Sequence, residues 1–322
     1  MPAPAPPPPA GASVRLLPLL LAATLLTVGV AACAGTRHTV TYPAIDVDAP
    51  DVRDPSGRAT LRAEAIAARL RAARCVYVAE QHADPAYHAV QRAVLERLSG
   101  SGAEVVIAVE WLPPSAEPAL DSWLAGRDPV ATLMTALDWP RRWGHEFAAY
   151  APIFRWARER GVPIAPVNAE RDLARAVARA PLAEVPPETR AQLPPLDTGN
   201  PPHRAFFDAM MRAAMAGHGG APLADTVLDR YYLAQLVWDE TMSRRVAELL
   251  TDPAHPGRVV VVFAGVGHIL HGLGVPQRVN ALTGLPFTIV LPVPAAELAE
   301  RETVASDAPY PIRDADLLWV VP

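Results

Sequence analysis

Arg258-Val259-Val260-Val261-Val262-Phe263-Ala264-Gly265-Val266-Gly267-His268 is the stretch whose reading decides the fold. Four successive valines and a phenylalanine are apolar without alternation, so a strand here hides both of its faces. β-Branched side chains favour the extended backbone, and the run is too short for a buried helix. A strand buried on both sides belongs to a parallel sheet covered by helices above and below. The glycines at 265 and 267 let the backbone turn sharply and come close to a ligand. His268 then places an imidazole at the carboxyl end of the strand.

The same pattern recurs outward along the chain. Cys75–Ala79, Val105–Val109, Val162–Val167, Phe287–Leu291 and Leu317–Val321 read as further strands. Helical periodicity separates them, beginning near Thr60 with Leu61, Ile66 and Leu70. Pro85–Leu98 is a helix with Asp84 as its N-cap and Pro85 in its first turn. Another helix lies around Pro152–Arg160. The fold class is therefore α/β: a mainly parallel β-sheet flanked by helices on both faces, with helical insertions. The segment 170–257 is the larger insertion. It contains a helix at Arg171–Arg179, a Pro-rich flap, and two helical patterns at about 203–216 and 224–250. A smaller insertion at 111–150 carries Trp111, Trp123, Trp139 and Trp143. No repeat of 20–50 residues is visible.

Of 322 residues, 51% are hydrophobic and 20% charged, enough for a large core and too apolar for a disordered chain. The formal charge of −5 argues against nucleic acid as a partner. All 29 basic residues are arginine. Any cation this chain uses is thus a guanidinium, a histidine or a metal. Residues 1–32 read as a secretory signal: one charge at Arg15, then the apolar run Leu16–Ala32 closed by Val30-Ala31-Ala32-Cys33. The alternative is a single uncleaved span, for which seventeen residues is near the lower limit. The small-small-Cys ending resembles a bacterial lipobox, which implies lipidation of Cys33. Ala34 after it implies an outer-membrane destination by resemblance to enteric lipoproteins. Residues 33–58, with Pro43, Pro50 and Pro55, read as a flexible tether, and 59–322 as the folded domain. Cys75, left without a partner, reads as a packed thiol inside a strand.

In a parallel α/β sheet, ligands bind beyond the carboxyl ends of the strands. The first strand is followed by Glu80-Gln81-His82, the second by Glu110, the third by Asn168, and the valine-rich strand by Gly265-Val266-Gly267-His268. Taken singly, such groups often only cap the next helix. Taken together, two histidines and two glutamates on one rim make a metal or acid/base constellation. His88, six residues after His82, reads as a solvated surface histidine. Phe206, Phe207, Met210, Met211 and Met215 offer apolar lining for a broad ligand slot; the alternative is ordinary helix core, since Phe206, Met210 and Phe207, Met211 fall at helical spacing. The glycines after Ala264 are not a dinucleotide fingerprint, and no Gly-x-Ser-x-Gly element occurs.

In this order the motifs resemble those of the ChaN-like haem-binding lipoproteins. They are Val78-Ala79-Glu80-Gln81-His82-Ala83-Asp84-Pro85-Ala86-Tyr87-His88, Val109-Glu110-Trp111, Gly161–Ala169, Gln235-x-x-Trp238-Asp239-Glu240-x-Met242 and Gly265-Val266-Gly267-His268, followed by Gly272–Pro276. The resemblance runs from about Arg74 to Pro292. Ala79 stands where the family's first motif begins with glycine. The resemblance implies haem as cofactor, a part in iron uptake, and a homodimer pairing two haems. It further implies a tyrosine on each iron and histidine and lysine near the propionates; this chain has no lysine, so arginine or histidine must take that role here. Tyr150 is the chosen axial candidate, with Tyr87, Tyr231 and Tyr232 behind it. His82, His268 and Glu110 complete the haem-binding set. The broader Tiki, TraB and erythromycin esterase superfamily implies the alternative. There Glu80, His82, Glu110 and His268 hold a divalent metal, or do acid/base hydrolysis without one.

Overall fold

The computed structural model describes residues 45, 49–217, 223–298 and 314–322. The leader, Cys33 and most of the expected tether lie outside these. A seven-stranded sheet runs in the order β1-β7-β6-β2-β5-β3-β4. Its strands are β1 (Val52–Arg53), β2 (Cys75–Glu80), β3 (Val105–Val109), β4 (Ile164–Pro166), β5 (Val259–Gly265), β6 (Phe287–Pro294) and β7 (Leu317–Val321). All neighbours are parallel except β1, which pairs antiparallel with β7 through Val52 and Trp319.

The valine-rich strand occupies the middle, between β2 and β3. Every residue of β5 is buried, because helices cover both faces. The two sides alternate along the pleat. Val76, Val78, Val261 and Phe263 join one core cluster, whereas Cys75, Tyr77, Val260 and Val262 join the other. Each fully buried valine contributes roughly 1.5–3 kcal/mol of transfer free energy. The thiol of Cys75 is packed in the second cluster, and burial pushes its pKa up to about 12.

The helices are α1 (Ala63–Ala72), α2 (Pro85–Gly100), α3 (Glu117–Leu124), α4 (Val130–Leu137), α5 (Trp139–Arg142) and α6 (Phe147–Arg160), then α7 (Arg171–Arg179), α8 (Pro187–Arg190), α9 (Pro201–Gly217), α10 (Asp225–Thr251), α11 (Val266–Ile269) and α12 (Val275–Thr283). Asp84 caps α2 as its sequence suggests, accepting from the Ala86 N–H at 2.8 Å, with Pro85 next to it. The segment 170–257 holds helices and no strand among its described residues. Among the described residues, no helix is long and apolar enough to cross a membrane.

Three details depart from expectation. The ordered body begins before residue 59: Val52 is fully buried and Leu61 N–H donates to the Val52 carbonyl, so residues 52–58 are a folded edge rather than free tether. The helix before β4 starts at Phe147, carries Pro152 inside it, and so takes Tyr150 into its second turn. His88 is not a solvated histidine. It is fully buried on α2, and its Nδ1 sits 2.7 Å from the Ala149 carbonyl.

Candidate functional site

The carboxyl ends of β2, β5 and β3 lie side by side, and the chain changes direction around them. After β2 it moves out to β3 and β4, returns to insert β5, and then builds β6 and β7 on the other side. Such a switch point opens a crevice at the carboxyl rim. Glu80 ends β2, Glu110 follows β3, Gly265 ends β5, and His268 sits on the short α11 just beyond. The four residues expected on one rim are therefore together.

Glu80 is a buried acceptor surrounded by donors. Its Oε1 receives the Tyr150 hydroxyl at 3.1 Å and faces His82 Nδ1 at 3.0 Å. Its Oε2 receives the Gln91 amide and the Trp111 indole N–H, each at 3.0 Å. His88 Nε2 stands 3.6 Å from Oε1. Burial alone would raise the carboxyl pKa; the His88 and His82 imidazoles outweigh it and hold Glu80 well below the usual carboxylate range. An ionised carboxylate is acceptor-only, which suits this ring of donors.

A second chain of contacts runs through His268. Its Nε2 lies 3.3 Å from Glu110 Oε1 and its Nδ1 lies 2.6 Å from Asp239 Oδ1, with the Gln235 amide at 2.9 Å. Burial works against charge here, but Glu110 and Asp239 raise the His268 pKa to about 10, so the ring is an imidazolium at neutral pH. Glu110 and Asp239 are both lowered in return, and Glu110 also accepts the Gly265 N–H at 2.6 Å. Beyond Asp239 stands the buried His203, whose Nε2 is 3.3 Å from Oδ2. Asp239 and Gln235 were quoted from the sequence only as part of a motif. Their four-residue spacing on α10 is the signal that they share one helix face. His203, from α9, has no such signal.

The two systems meet at Gly265. A Cβ there would stand 3.0 Å from His82 Cε1, 3.2 Å from its Nε2 and 3.5 Å from Glu110 Oε2, so the glycine is required for close approach rather than for its backbone angles. His82 turns Nδ1 to Glu80 and keeps a side chain 29% exposed. Burial lowers its pKa, but the Glu80 hydrogen bond and the Glu110 charge win and raise it. Against its ring stand Trp143 at 4.7 Å and His145 at 5.2 Å between ring centroids. This half-open group of aromatic rings is the mouth of the site. The sequence reading did not single out His145.

Other expectations land elsewhere. Tyr150 is fully buried, its hydroxyl donating to Glu80 and accepting from the Ala83 N–H at 3.0 Å; it braces the carboxylate and presents no free face to a ligand. Among its alternatives, Tyr87 and Tyr232 are also buried, and Tyr231 packs partly buried beside α9. Asn168 leaves the cluster and lines a pocket of about 360 Å³ with Ser115, Glu170, Arg244 and Arg245. Phe207 and Met211 are helix core, as their spacing suggests, while Met210 points toward Gly267 and Phe206 packs edge-on to His271. Trp111 and Trp139 are core; Trp143 reaches the mouth. The divalent-metal expectation finds no support. Among the described residues no three His, Cys, Asp or Glu side chains are arranged to hold a metal ion. The reason is visible: the Glu80 oxygens are consumed by donors, and both nitrogens of His268 face carboxylates.

Comparison with known proteins agrees with this architecture. A family model described as haem-binding uptake, Tiki superfamily, ChaN matches residues 66–279. No curated protein matches. The fold is similar to that of ChaN of Campylobacter jejuni, solved with cofacial haem binding, with a TM-score of 0.59 at 16% identity over 83% of this chain and 94% of that one. An erythromycin esterase, EreC, in its open conformation matches with a TM-score of 0.43 and 12% identity over 82% of this chain and 83% of that one. The family match spans most of the chain and includes all four rim residues, and the chain belongs to the ChaN family of haem-binding uptake proteins in the Tiki superfamily.

Proposed function

We propose that this chain is a haem-binding lipoprotein of the bacterial envelope that serves iron uptake. The observation that carries the binding site is the mouth itself. His82, Trp143 and His145 form a half-open aromatic wall over the polar floor of Glu110 and His268. Haem asks for flat apolar contact, a nitrogen or oxygen ligand, and cations for two carboxylates. The donor set fits: two imidazoles and an indole at the opening, an imidazolium behind them, and the Arg141 and Arg142 guanidiniums on the adjoining helix. Bound haem supplies the iron and the porphyrin plane. The protein orients His82 through Glu80, keeps His268 cationic through Glu110 and Asp239, and shields the floor from water.

The envelope location rests on Cys33 as the lipid attachment point and on the family's role in uptake. Outer-membrane placement follows from Ala34. Two haems shared by a homodimer are part of this reading, because the Campylobacter relative binds haem cofacially. The test is titration of the full chain in detergent with haemin. A saturable change in the Soret band is expected, together with haem-dependent doubling of mass by light scattering. A spectrum that grows linearly without saturation ends the haem reading.

A further inference from the structure

The end of α5 and the loop that follows it read Arg141-Arg142-Trp143-Gly144-His145 and carry chemistry that the contacts described above leave unused. His145 is half-buried at the mouth, with its ring 5.2 Å from His82 and 5.4 Å from Trp143. Unlike His82, His88, His203 and His268, its ring has no hydrogen-bond partner among the described residues. Its backbone is nonetheless fixed. The buried Trp139 indole N–H donates to the His145 carbonyl at 2.7 Å, and Trp139 lies in the core. Gly144 adopts φ of +87°, a left-handed turn that favours glycine and splays the Trp143 and His145 rings at 57° to each other. The chain thus anchors an unbonded imidazole beside an indole at the opening.

An imidazole ligates iron only as the neutral base. The His145 ring is not engaged by a carboxylate among the described residues, whereas His82 Nδ1 faces Glu80 and both ring nitrogens of His268 face carboxylates. Tyr150, the tyrosine chosen from the sequence as axial candidate, spends its hydroxyl on Glu80 and Ala83 inside the core.

We propose that His145 is the residue through which this chain ligates haem iron, with Trp143 as the flat contact beside it. The proposal rests on the haem-binding reading above and deepens it. A nitrogen lone pair of His145 enters the iron coordination shell, and no proton or electron is transferred. Arg141 and Arg142, in the last turn of α5 just before that loop, are the guanidiniums placed to meet propionates. Arg142 holds Ser115 Oγ at 2.8 Å and stands 3.6 Å from Glu170 Oε2, and among the described residues the Arg141 guanidinium pairs with the exposed Asp138.

The experiment titrates ferric haemin into the full chain in detergent and records visible absorption and electron paramagnetic resonance for the wild type and three variants. His145→Ala is expected to lose the wild-type ligand signature and to bind about tenfold or more weakly. Added free imidazole should restore the spectrum, which a structural role would not allow. Trp143→Ala should weaken binding without imidazole rescue. Tyr150→Phe should keep the wild-type signature. A wild-type signature in His145→Ala, or its loss in Tyr150→Phe, overturns the assignment and leaves haem binding intact. Weaker binding by His145→Ala with no spectral change and no rescue also overturns it. Absence of saturable binding by the wild type ends both. Because the His145 ring makes no hydrogen bond, its truncation should leave the thermal melt unchanged.

Discussion

The Tyr150 hydroxyl donates to Glu80 Oε1 at 3.1 Å while accepting the N–H of Ala83, whose φ is +61°. One phenol therefore ties α6 to the end of β2 and to the strained turn that leads into α2. Tyr150→Phe removes a donor from a buried carboxylate and an acceptor from a backbone N–H. Loss of stability of about 1–3 kcal/mol is expected, read from urea unfolding, with the fold retained.

His268 sets a pH dependence. Its folded pKa is raised from 6.5 to about 10, so its contribution to stability is complete below pH 6.5 and is lost as pH rises toward 10. Asp239→Asn removes one of the two carboxylates responsible. The fall in urea midpoint between pH 6.5 and 10 should become shallower in the variant. The His268 ring signal in NMR should titrate at lower pH than in the wild type. An unchanged titration would show that Glu110 alone holds the proton.

Gly265→Ala tests the close approach. Its φ of −56° suits any residue, so the effect is steric. The new methyl, 3.0 Å from His82 Cε1, pushes the ring away from Glu110. The expected cost is about 1–3 kcal/mol of stability. Haemin affinity should drop with it, by titration against the wild type.

Cys33→Ser tests the anchor. Labelled palmitate should be incorporated by the wild type and not by the variant, and the variant should leave the membrane fraction. Continued labelling of the variant would move the lipid elsewhere.

The fold class was legible because a parallel sheet writes its strands as unbroken apolar runs. Val105–Val109 and Arg171–Arg179 match the structure residue for residue. The four rim groups were legible because strand ends in such a sheet share one edge. What escaped depends on tertiary packing. His88 looked solvated because burial of an α2 histidine is decided by α6, sixty residues on. His203 lies on α9 and meets Asp239 of α10 only after the two helices fold together. Tyr150 was placed before a helix because Pro152 read as its start, whereas the helix begins five residues earlier. His145 stands in a short irregular loop with no periodicity around it.

The direction of β1 has a bearing on how the molecule would sit at a bilayer. Running antiparallel to β7, it enters the sheet from the rim where Glu80, Glu110 and His268 gather, not from the opposite end. An acyl chain on Cys33 would thus be leashed from the side on which the haem mouth opens. The intervening residues reach at most about 3.3–3.6 Å apiece when stretched. If Cys33 carries lipid as proposed, such a mooring would turn the ligand-receiving side toward the lipid surface, with the length of the leash, rather than the fold, limiting how far that side can travel from it.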